Sequence, residues 1–292
     1  MKKLKVSAND ISKRLDVFVF ENLPTLSRSF VQKLIDGGRV TVNQQTVKPG
    51  HKIKNSDQVK IDFNLAEMKV IPDITLPIIY EDNDVIVVDK PQGVLTHSKG
   101  AFNPEATVAS FIKDKVDFLP NESTNDRMGI VHRLDRATSG VIICAKNSKA
   151  QKWLQKQFSI RKTKKTYIAV VDGILTPSEA VIDMPIARNP RNPKTFYISP
   201  SGKQALTHFR VKEVSGTARS TLILTPETGR THQIRVHLHY LKHPIVGDVL
   251  YGGSQNTRML LHAHKLELTL PDGKRHEFVA PIPKEFDNSM NE

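Results

Sequence analysis

The stretch that decides the fold runs from Gly129 to Val141 and reads GIVHRLDRATSGV. It holds one carboxylate, Asp135, between Arg133 and Arg136, and it continues into an apolar run that begins at Val141. A positive charge within a few ångströms favours the ionised form of a carboxylate, which is the form that a carboxylate nucleophile requires. The pattern predicts a polar loop that presents Asp135 and then enters a buried β-strand. An aspartate that only caps a turn would fit the same residues, so they leave both roles open.

The composition is that of a polar and basic globular protein. The 292 residues include 43 Lys and Arg against 30 Asp and Glu, a formal net charge of +13. Such an excess favours a polyanionic partner, although a basic protein without one is the alternative from charge alone. Cys144 is the only cysteine, which excludes an internal disulfide and the class of disulfide-stapled secreted proteins. The sequence has no long apolar run and no secretory signal, so we expect a cytoplasmic protein with no membrane partner.

The hydrophobic pattern divides the chain into two domains. Residues 5–62 place two short amphipathic helices before alternating apolar residues, which predicts a small N-terminal α/β module. Residues 63–75 read as a linker. Residues 76–285 hold many short strands and few helices, which predicts an α+β domain on a mixed, mostly antiparallel sheet. Residues 286–292 read as a disordered tail.

Local signals predict the ends and types of individual elements. Ser27 is expected to cap the second helix of the first domain, and the glycine pair at 37–38 is expected to end it. In the second domain, Ser148 is expected to cap a helix. The alternation of apolar residues over 233–238 predicts a short strand.

The segment from Lys146 to Thr166 holds eight basic residues and no acidic residue. Basic side chains every three or four positions along a helix can follow a phosphate backbone, whereas a merely solvated face usually mixes both signs. We therefore expect nucleic-acid contacts from Lys152, Lys156, Lys162, Lys164 and Lys165.

Six histidines cluster late in the chain, at 232, 237, 239, 243, 262 and 264. Their spacings can bind zinc, which together with the basic composition would suit a metal-dependent nuclease. No cysteine lies near them, however, and there is no His-Glu-x-x-His helix. His237 and His239 would point the same way from the predicted strand whether or not they held a metal. We expect no metal site.

Six motifs, in order, resemble those of the RluA family of pseudouridine synthases. The one that carries most weight is HRLD at 132–135 followed by TSG at 138–140. The others are VDKPQG at 88–93, KTYIA at 165–169, TGRTHQIRVHL at 228–238, HPIVGD at 243–248 with YGG at 251–253, and LLHAHKL at 260–266. Together they extend the resemblance over residues 76–285.

The resemblance implies an enzyme that isomerises a uridine already inside an RNA chain. The uracil is detached from its sugar, rotated and rejoined through carbon 5, without redox change, so no cofactor is expected. The family's catalytic aspartate matches Asp135, its base-stacking tyrosine matches Tyr167, and the arginine that pairs with the carboxylate matches Arg235. Whether Asp135 attacks the sugar, attacks the base or removes a sugar proton stays open.

The same resemblance implies base flipping, because the reacting atoms are inaccessible inside a helix. Arg133 matches the arginine that enters the RNA stack when the uridine leaves it, and its neighbour His132 is expected to contact the RNA too. Leu261 matches an apolar residue that lies against the flipped base, although core packing would explain it equally well.

The first domain resembles the S-four RNA-binding domain. The matching strings are LSRS at 26–29, KLI at 33–35, GRVTVN at 38–43 and VKPG at 47–50. In that family two helices present a basic face to structured RNA, so we expect RNA contacts from Arg14, Arg28, Lys33 and Arg39. Gln44 departs from the pattern, because glycine often follows the asparagine of this hairpin turn.

The combination of these two domains is typical of bacterial enzymes that modify large-subunit ribosomal RNA, which is the expected partner. The alternatives are a transfer RNA pseudouridine synthase and a non-catalytic RNA-binding assembly factor. We expect a monomer, since no exposed heptad or long apolar stripe requires a partner.

Overall fold

The computed structural model describes residues 2–23, 26, 28–63, 71–98, 105–118, 128–215 and 219–288. It divides into two compact units, of which the first is Met1–Asp73 with His97–Ala106 and the second is Ile74–Thr96 with Thr107–Glu292. The predicted cap Ser27 and the central part of the predicted linker, 64–70, lie outside the described residues.

The first unit packs two helices with a four-stranded antiparallel sheet. Its elements are β1 (Lys2–Leu4), a 3-10 turn (Ala8–Asp10), α1 (Leu15–Asn22), α2 (Arg28–Asp36), β2 (Val40–Val42), β3 (Gln45–Thr46) and β4 (Val59–Ile61). The strand order is β1-β4-β2-β3. Phe18 of α1, Ile35 of α2 and Val59 of β4 are buried together in its core, and burial of these apolar side chains supplies the main stabilising free energy.

The turns of this unit depend on left-handed backbone. Gly38 ends α2 at a φ of +71°, as the glycine pair predicted. Asn43 and Gln44 have φ values of +52° and +67°, the positive pair of a two-residue hairpin turn. Gln44 therefore adopts the conformation for which glycine is common, so its departure from the expected sequence does not abolish the hairpin.

The second unit is built on a nine-stranded sheet, and the predicted α+β class is confirmed. Its elements are β5 (Ile78–Glu81), β6 (Val85–Lys90), α3 (Val108–Ile112), a 3-10 turn (Lys113–Lys115), β7 (Ser139–Ala145), α4 (Ser148–Ser159), β8 (Lys164–Asp172), β9 (Glu179–Asp183), β10 (Ile186–Arg188), β11 (Phe196–Ile198), β12 (Leu206–Ser215), β13 (Arg219–Pro226), α5 (Gln233–Tyr240), a 3-10 turn (Val249–Tyr251), β14 (Leu261–Thr269), β15 (Arg275–Val279) and α6 (Glu285–Asn288). None of the helices within the described ranges is long and apolar enough to cross a membrane.

The strand order of the large sheet is β5-β6-β7-β14-β8-β13-β12-β9, and β15 pairs with β14. β10 and β11 form a separate hairpin. Among the described strands of the large sheet, β7 and β14 pair in parallel and the other pairs are antiparallel.

The parallel pairing of β7 with β14 brings distant motifs together. Gly140, in the TSG part of the first motif, has a φ of +116°, and a Cβ there would overlap the carbonyl of Ala263. Only glycine permits this close approach of the two strands. Ala263 in turn lies opposite Tyr167 of β8, so the loop that carries Asp135 enters the sheet beside β14, one strand away from Tyr167.

The predicted strand at 233–238 is wrong, since Gln233–Tyr240 is the helix α5. Ile234, Val236 and Leu238 alternate in the sequence, but every residue from 233 to 238 is buried. A helix buried on all sides has no polar face, so the spacing of its apolar residues does not reveal its period. His237 and His239 consequently project from different sides of a helix.

Two element ends also differ from the prediction. Asn147, not Ser148, caps α4, because its side chain accepts a hydrogen bond from the backbone N–H of Ala150. In α6, Phe286 is buried in a cluster with Ile168 and Leu260, so this part of the predicted tail belongs to the folded unit.

Candidate active site

A cleft of about 550 Å³ opens on the second unit. It is lined by the loop before β7, the end of α4, and parts of β8, the segment 226–235 and β14. Among the predicted site residues, those that line it are His132, Arg133, Asp135, Lys165, Tyr167, Arg235 and Leu261. A cleft of this size accommodates a small organic ligand such as one nucleotide.

The remaining predicted RNA contacts lie elsewhere. Four are exposed on the second unit without lining the cleft: Lys152, Lys156, Lys162 and Lys164. Four belong to the first unit: Arg14, Arg28, Lys33 and Arg39. Their role in RNA binding stays a prediction.

Arg235 connects Asp135 to a second, buried carboxylate. Its Nη1 lies 3.4 Å from Oδ2 of Asp135, while Nε and Nη2 bind the two oxygens of Asp248 at 2.7 and 2.8 Å. Arg235 is 6% exposed and Asp248 is 2% exposed. Burial acts to lower the pKa of Arg235, but the hydrogen bonds and charge of Asp248, with the charge of Asp135, outweigh it and raise the pKa. The guanidinium is therefore a fixed cation, whose bidentate bond to Asp248 sets its orientation toward Asp135.

The loop that holds Asp135 is tied down on both sides of this residue. The hydroxyl of Thr96 donates to the carbonyl of Leu134 at 3.0 Å and accepts from its N–H at 3.1 Å. Nζ of the fully buried Lys90 donates to the carbonyls of Pro91 and Val94 at 2.9 Å, and lies 3.5 Å from that of Arg136. Burial lowers the pKa of Lys90 to about 7. The Lys-Pro motif thus serves as an anchor for the loop.

Tyr167 and Leu261 form an apolar wall of the cleft, on the neighbouring strands β8 and β14. Leu261 is 3% exposed. Burial, with the nearby charge of Asp135, raises the pKa of Tyr167, so its ring is a neutral phenol. An aromatic face and an aliphatic side chain beside a carboxylate suit a planar, uncharged base.

His132 fixes its motif to the sheet. Its Nε2 accepts a hydrogen bond from the backbone N–H of Ile143 at 3.0 Å, and its ring stacks on Phe158 with centroids 4.6 Å apart. Burial lowers the pKa of His132 to about 3, so the imidazole is neutral. The ring also lines the cleft, but its contacts are those of a residue that holds the loop against β7.

Basic groups occupy the rim of the cleft. Arg133 is exposed there, whereas Nζ of Lys165 donates to the carbonyl of Thr228 at 3.2 Å. Burial, with the charge of Arg161, lowers the pKa of Lys165 to about 8. These side chains are placed to meet an anionic ligand at the entrance.

Three residues of the site received no role from the family resemblance. Asp248, His232 and Tyr251 stand inside its motifs, but His232 was considered only as a zinc ligand and the other two were not singled out. His232 Nε2 lies 3.9 Å from Oδ2 of Asp135, and Tyr251 Oη lies 2.9 Å from His232 Nδ1. The available signal was a carboxylate, an imidazole and a phenol in polar motifs next to that of Arg235.

Four of the other late histidines form hydrogen bonds with protein groups. His237 binds the hydroxyl of Thr207, and His243 binds the carbonyl of Asp172. His262 and His264 both meet the carbonyl of Ala280. Across the described part of the chain, no group of three or more His, Cys, Asp or Glu side chains is arranged to hold a metal ion.

Comparison with known proteins identifies the family to which both parts of the chain are similar. A family model described as RNA pseudouridylate synthase matches residues 84–240, and a model described as S4 domain matches residues 13–59. The ribosomal large subunit pseudouridine synthase D of Salmonella typhimurium is 37% identical, over 96% of this chain and 90% of that protein. The protein of the same name from Xanthomonas campestris is 36% identical, over 96% and 88%.

The similar solved structures are also RNA pseudouridylate synthase domain proteins. Human RNA Pseudouridylate Synthase Domain Containing 1 is 30% identical with a TM-score of 0.58, over 71% of this chain and 83% of that one. Human RNA Pseudouridylate Synthase Domain Containing 4, at 23% identity and a TM-score of 0.59 over 74% and 92%, shares the fold. The RluA-type motifs and the S-four resemblance are thereby confirmed, and the chain belongs to the RNA pseudouridylate synthase family.

Proposed function

We propose that this RNA pseudouridine synthase isomerises specific uridines of large-subunit ribosomal RNA, and that Asp135 starts cleavage of the glycosidic bond. The relatives named for the large ribosomal subunit match 96% of the chain at 36–37% identity, which supports this substrate. An S4 domain and a net charge of +13 suit a large structured RNA.

The position of Asp135 carries the proposal. Its carboxylate lies in the cleft beside the fixed guanidinium of Arg235, and the apolar wall of Tyr167 and Leu261 lines the same cleft. Arg235 holds the carboxylate in one orientation, as a nucleophile or base requires. Isomerisation moves the uracil within one nucleotide, so a cleft that retains the detached base is the central requirement.

Base flipping accounts for the roles of Arg133, Tyr167 and Leu261, which line the same cleft. A uridine inside a stacked RNA must leave the stack to reach Asp135, at a cost of a few kcal/mol. Arg133, exposed at the rim, takes the place of the flipped base. Tyr167 stacks on the uracil and Leu261 packs against it, so the base is held while it turns.

The basic residues outside the cleft would bind the RNA around the target. Lys152, Lys156, Lys162 and Lys164 lie on the second unit with the cleft, and the first unit adds its own arginines. Contacts with phosphates position an RNA without reading its sequence. A ribosomal substrate also implies the cytoplasmic location predicted from the sequence, and a monomer suffices for every contact described.

The test compares a deletion strain with the same strain complemented by wild-type protein, by Asp135→Asn and by the control Asp183→Asn, which alters an exposed aspartate of β9. Pseudouridines are mapped in ribosomal and transfer RNA. We expect specific sites in large-subunit RNA to disappear on deletion, to return with wild type and Asp183→Asn, and to stay absent with Asp135→Asn.

The alternatives predict different results. If only transfer RNA loses a site, the substrate is wrong while the chemistry stands. If Asp135→Asn restores every site, Asp135 does not catalyse the reaction. A protein that binds RNA in vitro but changes no modification in any RNA would be the non-catalytic assembly factor.

A further inference from the structure

We propose that His232 is a further active-site residue: its Nε2–H, set by Tyr251, binds Oδ2 of Asp135 together with Arg235 and leaves Oδ1 for the substrate. This inference concerns the pseudouridine synthase reaction and does not depend on which RNA is modified. It makes Tyr251 a positioning residue that acts through His232.

The contacts of Asp135 are one-sided. Within the described ranges, the polar side chains that meet this carboxylate both approach Oδ2, with Arg235 Nη1 at 3.4 Å and His232 Nε2 at 3.9 Å. The second distance exceeds that of a hydrogen bond, but such contacts often tighten only when substrate binds. Two donors on one oxygen fix the rotation of the carboxylate and direct the other oxygen into the cleft.

The hydrogen-bond chain behind His232 determines its tautomer. The backbone N–H of Phe196 donates to Oη of Tyr251 at 2.9 Å, which leaves the phenol hydrogen free to be donated in turn. Nδ1 of His232 lies 2.9 Å from the same Oη and accepts that hydrogen. A neutral imidazole whose Nδ1 accepts carries its hydrogen on Nε2, which is the nitrogen that faces Asp135.

The surroundings keep this imidazole neutral. Burial lowers the pKa of His232, and the charges of Arg235 and Arg133 act in the same direction. The carboxylates of Asp135 and Asp248 oppose them, but the net direction is down. A neutral donor can therefore bind Oδ2 without adding a second full positive charge to the site.

The backbone and the neighbouring rings hold the imidazole in place. His232 has a φ of +56°, a left-handed conformation that is uncommon outside glycine and concentrated at functional sites. The rings of Phe196 and Tyr251 meet it edge-on, with centroids 5.4 and 5.6 Å away. The face of Tyr251 also lies 5.0 Å from the guanidinium of Arg235. One tyrosine thus supports both donors to Oδ2.

The tautomer can be measured without RNA. In full-length protein labelled with ¹⁵N-histidine, long-range proton–nitrogen spectra identify which imidazole nitrogen of His232 carries the hydrogen, and the signal is assigned by its loss in His232→Gly. We expect the Nε2–H form in wild type and a mixture of forms in Tyr251→Phe. Tyr240→Phe, at the exposed end of α5, is the matched control and should leave the signal unchanged.

The kinetic arm uses single-turnover release of tritium from a large-subunit ribosomal RNA transcript that contains [5-³H]uridine, since rejoining through carbon 5 expels that hydrogen. Loss of one buried hydrogen bond predicts a rate about tenfold lower in both His232→Gly and Tyr251→Phe, with RNA affinity within about twofold of wild type. Glycine accepts the positive φ, so His232→Gly removes the side chain without backbone strain. His276→Asn on β15 is the control for loss of an imidazole outside the cleft.

An Nδ1–H tautomer in wild type, or a His232→Gly enzyme with the wild-type rate, would overturn the proposal. Equal loss of RNA affinity and rate would show that the imidazole binds RNA and does not act on Asp135. If the transcript is not a substrate, wild type itself will release no tritium. The ribosomal RNA proposal then fails, whereas the tautomer measured without RNA still decides the role of His232.

Discussion

Arg235 reaches Asp135 with one nitrogen, Nη1 at 3.4 Å, because Nε and Nη2 of the same guanidinium are bound to the buried Asp248. A side chain with a single ammonium could satisfy one carboxylate or the other, but not both in this geometry. The loop that holds Asp135 and the segment after α5 are therefore joined through one residue.

Replacement of Arg235 by lysine should separate charge from geometry. We expect Arg235→Lys to lower the single-turnover rate by about 100-fold or more, and the free energy of unfolding by about 3 kcal/mol, because Asp248 keeps its burial but loses its bidentate partner. Tritium release and chemical denaturation measure the two effects. Arg210→Lys, at an exposed position of β12, should change neither. A variant with the wild-type rate would show that any cation suffices.

Lys90 should give the folded state a characteristic pH dependence. Burial lowers its pKa from the ordinary 10.5 to about 7, so between these values the unfolded chain binds a proton that the folded chain does not. The free energy of unfolding therefore rises with pH in this window, by up to about 1.4 kcal/mol per pH unit from this group. Lys90→Met lacks that rise, so its deficit relative to wild type should grow as the pH increases.

Chemical denaturation at several pH values above 7 measures this deficit. It compares wild type with Lys90→Met and with the exposed-site control Lys113→Met. Lys113→Met should follow wild type throughout. A constant difference between wild type and Lys90→Met would mean that Lys90 titrates normally in the folded protein. We also expect Lys90→Met to slow the reaction, since the loop around Asp135 loses its anchor.

Asp16 should govern the acid stability of the first unit. Its buried carboxylate accepts hydrogen bonds from Arg14, Arg28 and Gln32. Burial alone would raise the pKa of Asp16, but these three donors outweigh it and lower the pKa. A lowered folded pKa stabilises the fold above the ordinary value of 3.8 and loses that effect as the pH falls further.

Asp16→Asn should consequently lower the free energy of unfolding by about 3 kcal/mol at neutral pH, because two guanidinium groups lose their buried partner. The difference from wild type should shrink below about pH 4, where the Asp16 carboxylate of the unfolded chain starts to bind a proton that the folded carboxylate does not. Calorimetry of the full chain follows both, with Asp36→Asn, exposed in α2, as the control. If the difference is independent of pH, Asp16 contributes by packing and not by charge.

The exposed lysines of α4, Lys152 and Lys156, should determine the salt dependence of RNA binding. Each phosphate contact with single-stranded RNA contributes about −0.7 to the slope of log affinity against log salt. The double change Lys152→Gln with Lys156→Gln should therefore make the slope shallower by about one unit or more. The control pair Lys212→Gln with Lys274→Gln, exposed on β12 and beside β15, should leave it unchanged. An equal effect of both pairs would indicate only a general attraction by net charge.

Local patterns predicted elements that have a clear apolar spacing or a continuous apolar run. The helix at Leu15–Asn22 followed from its spacing, and the buried strand at 139–145 followed from the apolar run at 141–143. The pattern failed at α5, because residues 233–238 are buried on all sides and their alternation imitated a strand. It also predicted Ser148 as the cap of α4, whereas the neighbouring Asn147 accepts the hydrogen bond from the backbone N–H of Ala150. Such choices between adjacent polar residues depend on which side chain the fold turns inward.

The sequence by itself determined the family and selected the candidate site residues, because motifs such as HRLD and the string around Arg235 are contiguous and keep their order. Only the tertiary structure decided how these residues meet. Arg235 comes to Asp135 across 100 positions, and Asp248, His232 and Tyr251 join them through contacts that no local spacing encodes. The physical reason is that the parallel pairing of β7 with β14 and the direction of α5 place Asp135, His232 and Arg235 in one cleft, and both depend on packing throughout the unit.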